Sequence, residues 1–312
     1  MPPSIRGCGC NERSAYFMNG STTMIAATGA SASRGLVFLR RLLANRSFSM
    51  GLALVGIVVV LALLANVVAP FDPIKGNFKA RMVAPGAAHW LGTDHFGRDI
   101  LSRILHGARV SLQIGFLVAL ITAVAGTVIG ATAGYFQRAD GPVMRLMDAF
   151  MAFPPIILAI AISSVLGASV TNVVIALAIA ATPHTARIVR ASVMVVREME
   201  YVEAARALGA GHVRILLRHV LANAMAPLVV RVTYVFAVAI LNEAVLSFIG
   251  VGPPPPTPTF GAIIANGRDF IVAAPWITVA PGMAILVSVL GLNMLGDGLR
   301  DVLDPRMAVN TR

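Results

Sequence analysis

Residues Glu200 to Leu221 read EYVEAARALGAGHVRILLRHVL, a charged stretch between runs long and apolar enough to cross a bilayer. From Met199 to Leu208 the residues are good helix formers. Met199, Val202, Ala205 and Leu208 recur at a three-residue spacing that predicts one apolar edge. Glu198, Glu200 and Glu203 fall in or near the first turn, where negative charge suits the positive end of the helix dipole. Gly209 is predicted to end this helix, because a residue without Cβ enters the left-handed conformation at little cost. A second short helix is predicted over Val213–Val220. On spacing alone the stretch reads as readily as a surface linker between two membrane helices.

The composition outside this island excludes an ordinary soluble domain. Of 312 residues, 57% are hydrophobic and only 12% charged, against roughly one-quarter charged in soluble domains. Mean hydropathy is +0.80. The chain is read as an all-α integral membrane protein. The first apolar run begins only after the Arg-bearing tail and is followed by no small-residue cleavage site, so it is an anchor rather than a cleavable signal. The net charge of +11 does not indicate nucleic acid, because the basic residues sit at the ends of apolar runs rather than in a stripe with aromatics. Cys8 and Cys10 lie together in the tail with no His or further Cys to complete a ligand set, so no metal and no cofactor is assigned.

Working outward, residues 1–46 read as a mostly disordered cytoplasmic tail, with Arg6, Arg13, Arg34, Arg40, Arg41 and Arg46 against the single acid Glu12. Residues 47–306 form the predicted six-span domain, with spans at 49–69, 110–135, 149–167, 171–190, 223–250 and 271–296. The island occupies the loop 197–221 between spans 4 and 5, and 307–312 closes the chain as a tail. Between spans 1 and 2 an external segment ends in an amphipathic helix near Arg98–Gly107. Gln137–Arg145 is a short cytoplasmic loop, and the Pro253–Pro256 run predicts a stiff external polyproline loop. Six spans put both termini and the island on one side, and the basic residues Arg138, Arg145, Arg187, Arg190, Arg197, Arg206, Arg214 and Arg218 gather there. Within the spans, Gly126, Gly130 and Gly134 make a smooth stripe for close helix packing. Pro154, Pro155 and Pro183 predict kinks.

No Gly-x-x-x-x-Gly-Lys-Ser/Thr loop is present: the lysines are Lys75 and Lys79, and neither follows Gly. No His-Glu-x-x-His or Gly-x-Ser-x-Gly motif occurs, so the chain is read as a non-enzyme. Arg231 and Glu243 are ionisable groups within span 5, which makes each a candidate for a solute path or coupling role, against an interfacial or packing role. They stand about 18 Å apart along a helix and cannot pair. Asp148 carries the same ambiguity. His184, His212 and His219 read as solvated helix histidines.

Glu203-Ala204-Ala205 followed by Gly209 and an amphipathic run to Val220-Leu221 resembles the cytoplasmic motif of permease subunits in bacterial ATP-binding-cassette importers. HWLGTDHFGRDILSRILHGARVSL from His89, LSFIGVGPPPPTPTFG from Leu246 and LGDGLRDVLDPR from Leu295 resemble the second permease subunit of the peptide, nickel and glutathione branch. The resemblance covers roughly Leu42 to Arg306. It departs at Leu221-Ala222, where the family often has Leu-Pro, so span 5 starts without that proline. The resemblance implies a type I importer permease fold in the bacterial inner membrane. It implies that Glu203, Ala204, Ala205, Leu208 and Gly209 form a coupling helix docking on separate ATPase subunits. A second homologous permease, an extracytoplasmic solute-binding protein and membrane lipid are the further partners implied, and no nucleic acid. The rival reading is a proton- or ion-coupled secondary transporter with Glu243 as the coupling acid.

Overall fold

The computed structural model describes residues 39–303; the tail carrying Cys8 and Cys10, and residues 304–312, lie outside the described residues. Among the described residues the chain is helical. The main helices are α1 Arg46–Leu63, α2 Ile100–Tyr135, α3 Gln137–Met151, α4 Pro155–Leu166, α5 Val170–Arg197, α6 Glu200–Ala207, α7 Ala222–Ile249, α8 Phe260–Gly267 and α9 Trp276–Leu303. Helices α1, α2, α5 and α9, together with α7 and its lead-in from His212, are long and apolar enough to cross a membrane. The pair α3 and α4, bent by 86°, supplies a sixth crossing if counted as one span.

That bend corrects the third span, predicted as a single run over 149–167. Pro154 takes an extended backbone and Pro155 opens α4 at its first turn, so the chain breaks where each proline disfavours a helical predecessor. The expected loop Gln137–Arg145 is instead the first part of α3. Gly141-Pro142 reads locally as a breaker, yet α3 is pinned by ion pairs from Asp140 to Arg190 and from Asp148 to Arg187, both on α5.

Helix α2 also differs from expectation. The amphipathic turn near Arg98–Gly107 and the second span are one helix of 36 residues, about 54 Å long and so longer than the roughly 30 Å hydrocarbon core. Its first turn is capped by Asp99, whose carboxylate accepts from the backbone N–H and hydroxyl of Ser102, each at 2.8 Å. Helix α5 continues through Pro183 to Arg197, and α9 runs past the predicted span end at Gly296 to Leu303. The Pro253–Pro256 run is not a uniform polyproline segment: the chain turns at Pro255 and Pro256, and α8 begins four residues beyond, at Phe260.

The glycine stripe packs as expected. A Cβ on Gly126 would stand 2.7 Å from Thr185 Cγ2, one on Gly134 2.9 Å from the Arg190 carbonyl, and one on Gly130 inside contact distance of the Ala186 carbonyl. Helices α2 and α5 therefore approach backbone to backbone. At the island end of this contact a core forms from Tyr135, Val189, Val193, Val202, Ile215 and Val220.

Candidate functional site

The island is a helix–turn–helix anchored from within. Val202 and Ile215 are fully buried, and Ala205 and Ala210 pack against the same core. Helix α6 begins with Glu200 and Glu203 in its first turn and ends with Arg206 in its last, the charge order its dipole favours. At its C-terminus the Ala210 N–H donates to the Ala205 carbonyl at 3.1 Å and the Gly209 N–H to the Arg206 carbonyl at 3.0 Å. This paired closure requires a left-handed residue between them, and Gly209 supplies it with φ +78°. A Cβ there would meet open space, so the glycine is demanded by backbone conformation alone.

The predicted apolar edge is only half realised. Val202 is buried and Ala205 half-buried, whereas Met199 is exposed and Leu208 is 89% exposed. Glu203, Ala204 and Leu208 thus lie on the outward side, an acid and a large apolar group beside a residue small enough for close approach. Beyond Gly211 the chain re-enters helix at His212, runs as a π-helix over Ile215–Leu221 and continues through Ala222 into α7 without interruption.

Contacts link the island to the membrane helices. Arg197 donates to the Gly134 carbonyl of α2 at 2.7 Å and to Glu198 at 2.8 Å. Tyr135 Oη lies 3.2 Å from His212 Nδ1. About two turns earlier in α5, Arg190 holds Asp140 through two hydrogen bonds. The acids of α3 were invisible in sequence as partners, since 50 residues separate Asp140 from Arg190 and no local spacing joins them.

Arg231 and Glu243 have different surroundings. Glu243 is fully buried, accepting from Ser247 Oγ at 2.7 Å and Ser111 Oγ at 3.2 Å, and Ser111 in turn accepts from the Phe260 N–H. It joins α7, α2 and α8 as a packing acid at the end of the bundle away from the island. Arg231 instead lines a cavity of about 590 Å³ with Pro227, Tyr234, Asn293, Asp297 and Arg300.

At that far end lies a cluster the sequence did not single out, although the i, i+4 spacing of Asp94 and Arg98 was a signal for it. Asp94 Oδ2 accepts from Arg98 Nε at 2.6 Å and from Arg103 Nη1 at 2.5 Å, while Oδ1 accepts from the backbone N–H groups of Phe96 and Arg98. Burial pushes the Asp94 carboxyl up, but the backbone bond from Arg98 and the charges of Arg98 and Arg103 outweigh it and hold the group below its ordinary range. Trp276 Nε1 donates to the Thr93 carbonyl, tying this hairpin to α9. No group of three or more His, Cys, Asp or Glu able to hold a metal ion occurs among the described residues.

Residues 110–309 match the family described as binding-protein-dependent transport system inner membrane component. Residues 33–85 match the N-terminal transmembrane domain of oligopeptide transport permease C. A Brucella suis chain named as a peptide transport system permease protein is 52% identical over 270 residues, covering 86% of this chain and 91% of that one. The di/tripeptide transport system permease protein DppC of Pseudomonas aeruginosa is 44% identical over 271 residues, covering 84% and 89%. A solved structure of the MetNI methionine ABC transporter in inward-facing conformations aligns with TM-score 0.54 at 18% identity, covering 65% of this chain and 96% of that chain.

Proposed function

Because the chain belongs to the family of binding-protein-dependent transport system inner membrane components, we propose that it translocates short peptides, or a related solute such as glutathione or a nickel chelate, by alternating access. The energy comes from ATP hydrolysed on partner ATPase subunits. A second, homologous permease completes the pathway, and an extracytoplasmic solute-binding protein delivers the solute. Both termini and the island face the cytoplasm of a bacterium with this chain in its inner membrane, the orientation that the arginines of α5, α6 and the His212–Leu221 segment favour.

The observation that carries this reading is the anchored island with an uncovered outer face. Val202 and Ala205 hold α6 on the bundle, while Glu203, Ala204 and Leu208 face outward with Gly209 fixing the exit. An exposed leucine beside small residues fits a groove on another protein. Closure of paired ATPases would move α6 and, through Arg197, His212 and the continuous helix into α7, the spans themselves. The ion-coupled alternative has little support, since Glu243 is committed to Ser111 and Ser247.

The test is co-purification. Leu208→Asp and Glu203→Arg are expected to reduce recovery of the ATPase subunits with this chain and to lower ATP-dependent uptake. Undiminished recovery and uptake in both variants would overturn the docking assignment.

A further inference from the structure

Several arginines of the bundle have carboxylate partners, whereas Arg231 and Arg300, which line one cavity, have none within 4.0 Å among the described residues. On α5, Arg187, Arg190 and Arg197 meet Asp148, Asp140 and Glu198; at the far end Arg98 and Arg103 share Asp94. No carboxylate of the described residues lies within 4.0 Å of the Arg231 guanidinium. Its Nε is buried without a hydrogen-bond partner, and its guanidinium carbon stands 5.0 Å from the centroid of the Tyr234 ring. It sits about 13 Å along α7 from Ala222, well inside an apolar span. A guanidinium held there needs an anion or water to offset its lost hydration.

Two cavities meet at this side chain. One, of about 590 Å³, opens toward the Asp297 and Arg300 turns of α9; the other, of about 330 Å³, reaches deeper past His184 and Asn242. Arg231 and Tyr234 line both. Both volumes fall within the roughly 300–1,000 Å³ that small ligands occupy. Asp297 and Arg300 offset each other formally, and His184 and Asn242 add no fixed charge. The junction therefore presents one forked cation, with neutral hydrogen-bonding groups on its deeper side. A planar guanidinium is shaped for two parallel bonds to a carboxylate.

Resting on the permease reading above, we propose that Arg231 is a specificity-determining residue that binds the carboxylate of the translocated solute where the two cavities meet. The solutes selected carry a free carboxylate, and neutral derivatives of the same size pass poorly.

The experiment uses the complete transporter, with ATPases, second permease and solute-binding protein, in proteoliposomes. The probes are alanylalanine and its C-terminal amide, with rates normalised to binding-protein occupancy. The wild type is expected to move the acid about tenfold faster than the amide, the size of effect one charge-assisted pair supplies in a desolvated site. In Arg231→Gln that preference disappears while ATP hydrolysis stimulated by loaded binding protein persists; Arg231→Lys keeps part of it. Equal normalised rates in the wild type overturn the proposal without recourse to any variant. So does an Arg231→Gln transporter that keeps the preference. If Arg231→Gln instead lowers recovery of the second permease and slows both probes equally, the arginine is an assembly residue and the proposal falls. Absence of both uptake and stimulated hydrolysis in the wild type would overturn the permease reading itself.

Discussion

Arg190 donates through Nε and Nη2 to the two carboxylate oxygens of Asp140, at 2.5 and 2.6 Å, joining the C-terminal third of α5 to the first turn of α3. The pair is about three-quarters buried on both sides, and it fixes α3 against the helix that leads into the island. Asp140→Ala is expected to cost about 1 kcal/mol of stability, the upper range for a bidentate pair at a partly wet site. Its functional cost is expected to be larger than that. Uptake per ATP hydrolysed should fall several-fold while ATPase recovery is unchanged, because the docking face is intact and the lever behind it is loosened. Exchange of the two side chains in Asp140→Arg with Arg190→Asp should restore part of the loss. A double variant no better than the single one would show that the pair does not transmit motion.

Gly209 separates conformation from contact. Its φ of +78° disfavours any side chain, yet nothing stands where a Cβ would go. Gly209→Ala should therefore cost about 1 kcal/mol, the left-handed penalty, and Gly209→Asn less, since Asn tolerates that region. Gly209→Val should cost more than either. Thermal unfolding of the purified complex ranks the three. The same ranking in ATPase recovery would tie the turn to docking, and an Ala variant as stable as wild type would refute the strain argument.

How much of this was legible beforehand depends on whether a residue's partners are near it in sequence. The helix, glycine turn and helix of the island rest on propensity, dipole and one left-handed position, all local, and they were readable. So was the Gly126, Gly130, Gly134 stripe, whose four-residue spacing needs no knowledge of its partner. The outward turn of Leu208 was not, because a three-residue spacing names an edge without saying how much of it the bundle covers. Helix α3 reads as a loop because its first part is a short charged segment between apolar runs, and its partners Arg187 and Arg190 on α5 are too distant in sequence to show what holds it. The packing role of Glu243 depended on Ser111, 132 residues away.

Glu243 discriminates between the ATP-driven reading and an ion-coupled one. Its carboxyl is bound by Ser247 and Ser111 and lines neither of the cavities at Arg231. Glu243→Gln keeps the shape and can still accept from one serine, so ATP-dependent uptake is expected within about threefold of wild type. Any loss should track a lowered thermal midpoint. A proton gradient without ATP should drive no uptake in either protein. Gradient-driven uptake abolished by Glu243→Gln would reverse this assignment.

Asp94 is the keystone of the hairpin that caps α2, because Arg98 and Arg103 both depend on its carboxylate. Asp94→Asn leaves two largely buried guanidinium groups facing a neutral amide, and breaking a buried ion pair from one side costs about 3–5 kcal/mol. The pH dependence follows from the sign of the shift. The folded-state carboxyl titrates below its unfolded value, so its stabilisation is complete above the ordinary carboxylate range, near about pH 4. It is lost as the pH falls through the lowered folded value, where the wild type comes to resemble the amide. The difference in Tm between wild type and Asp94→Asn should thus stay constant from pH 7 to about pH 5 and narrow below about pH 4. A difference that persists unchanged into strong acid would mean that the side chain holds the hairpin by shape and hydrogen bonding rather than by charge.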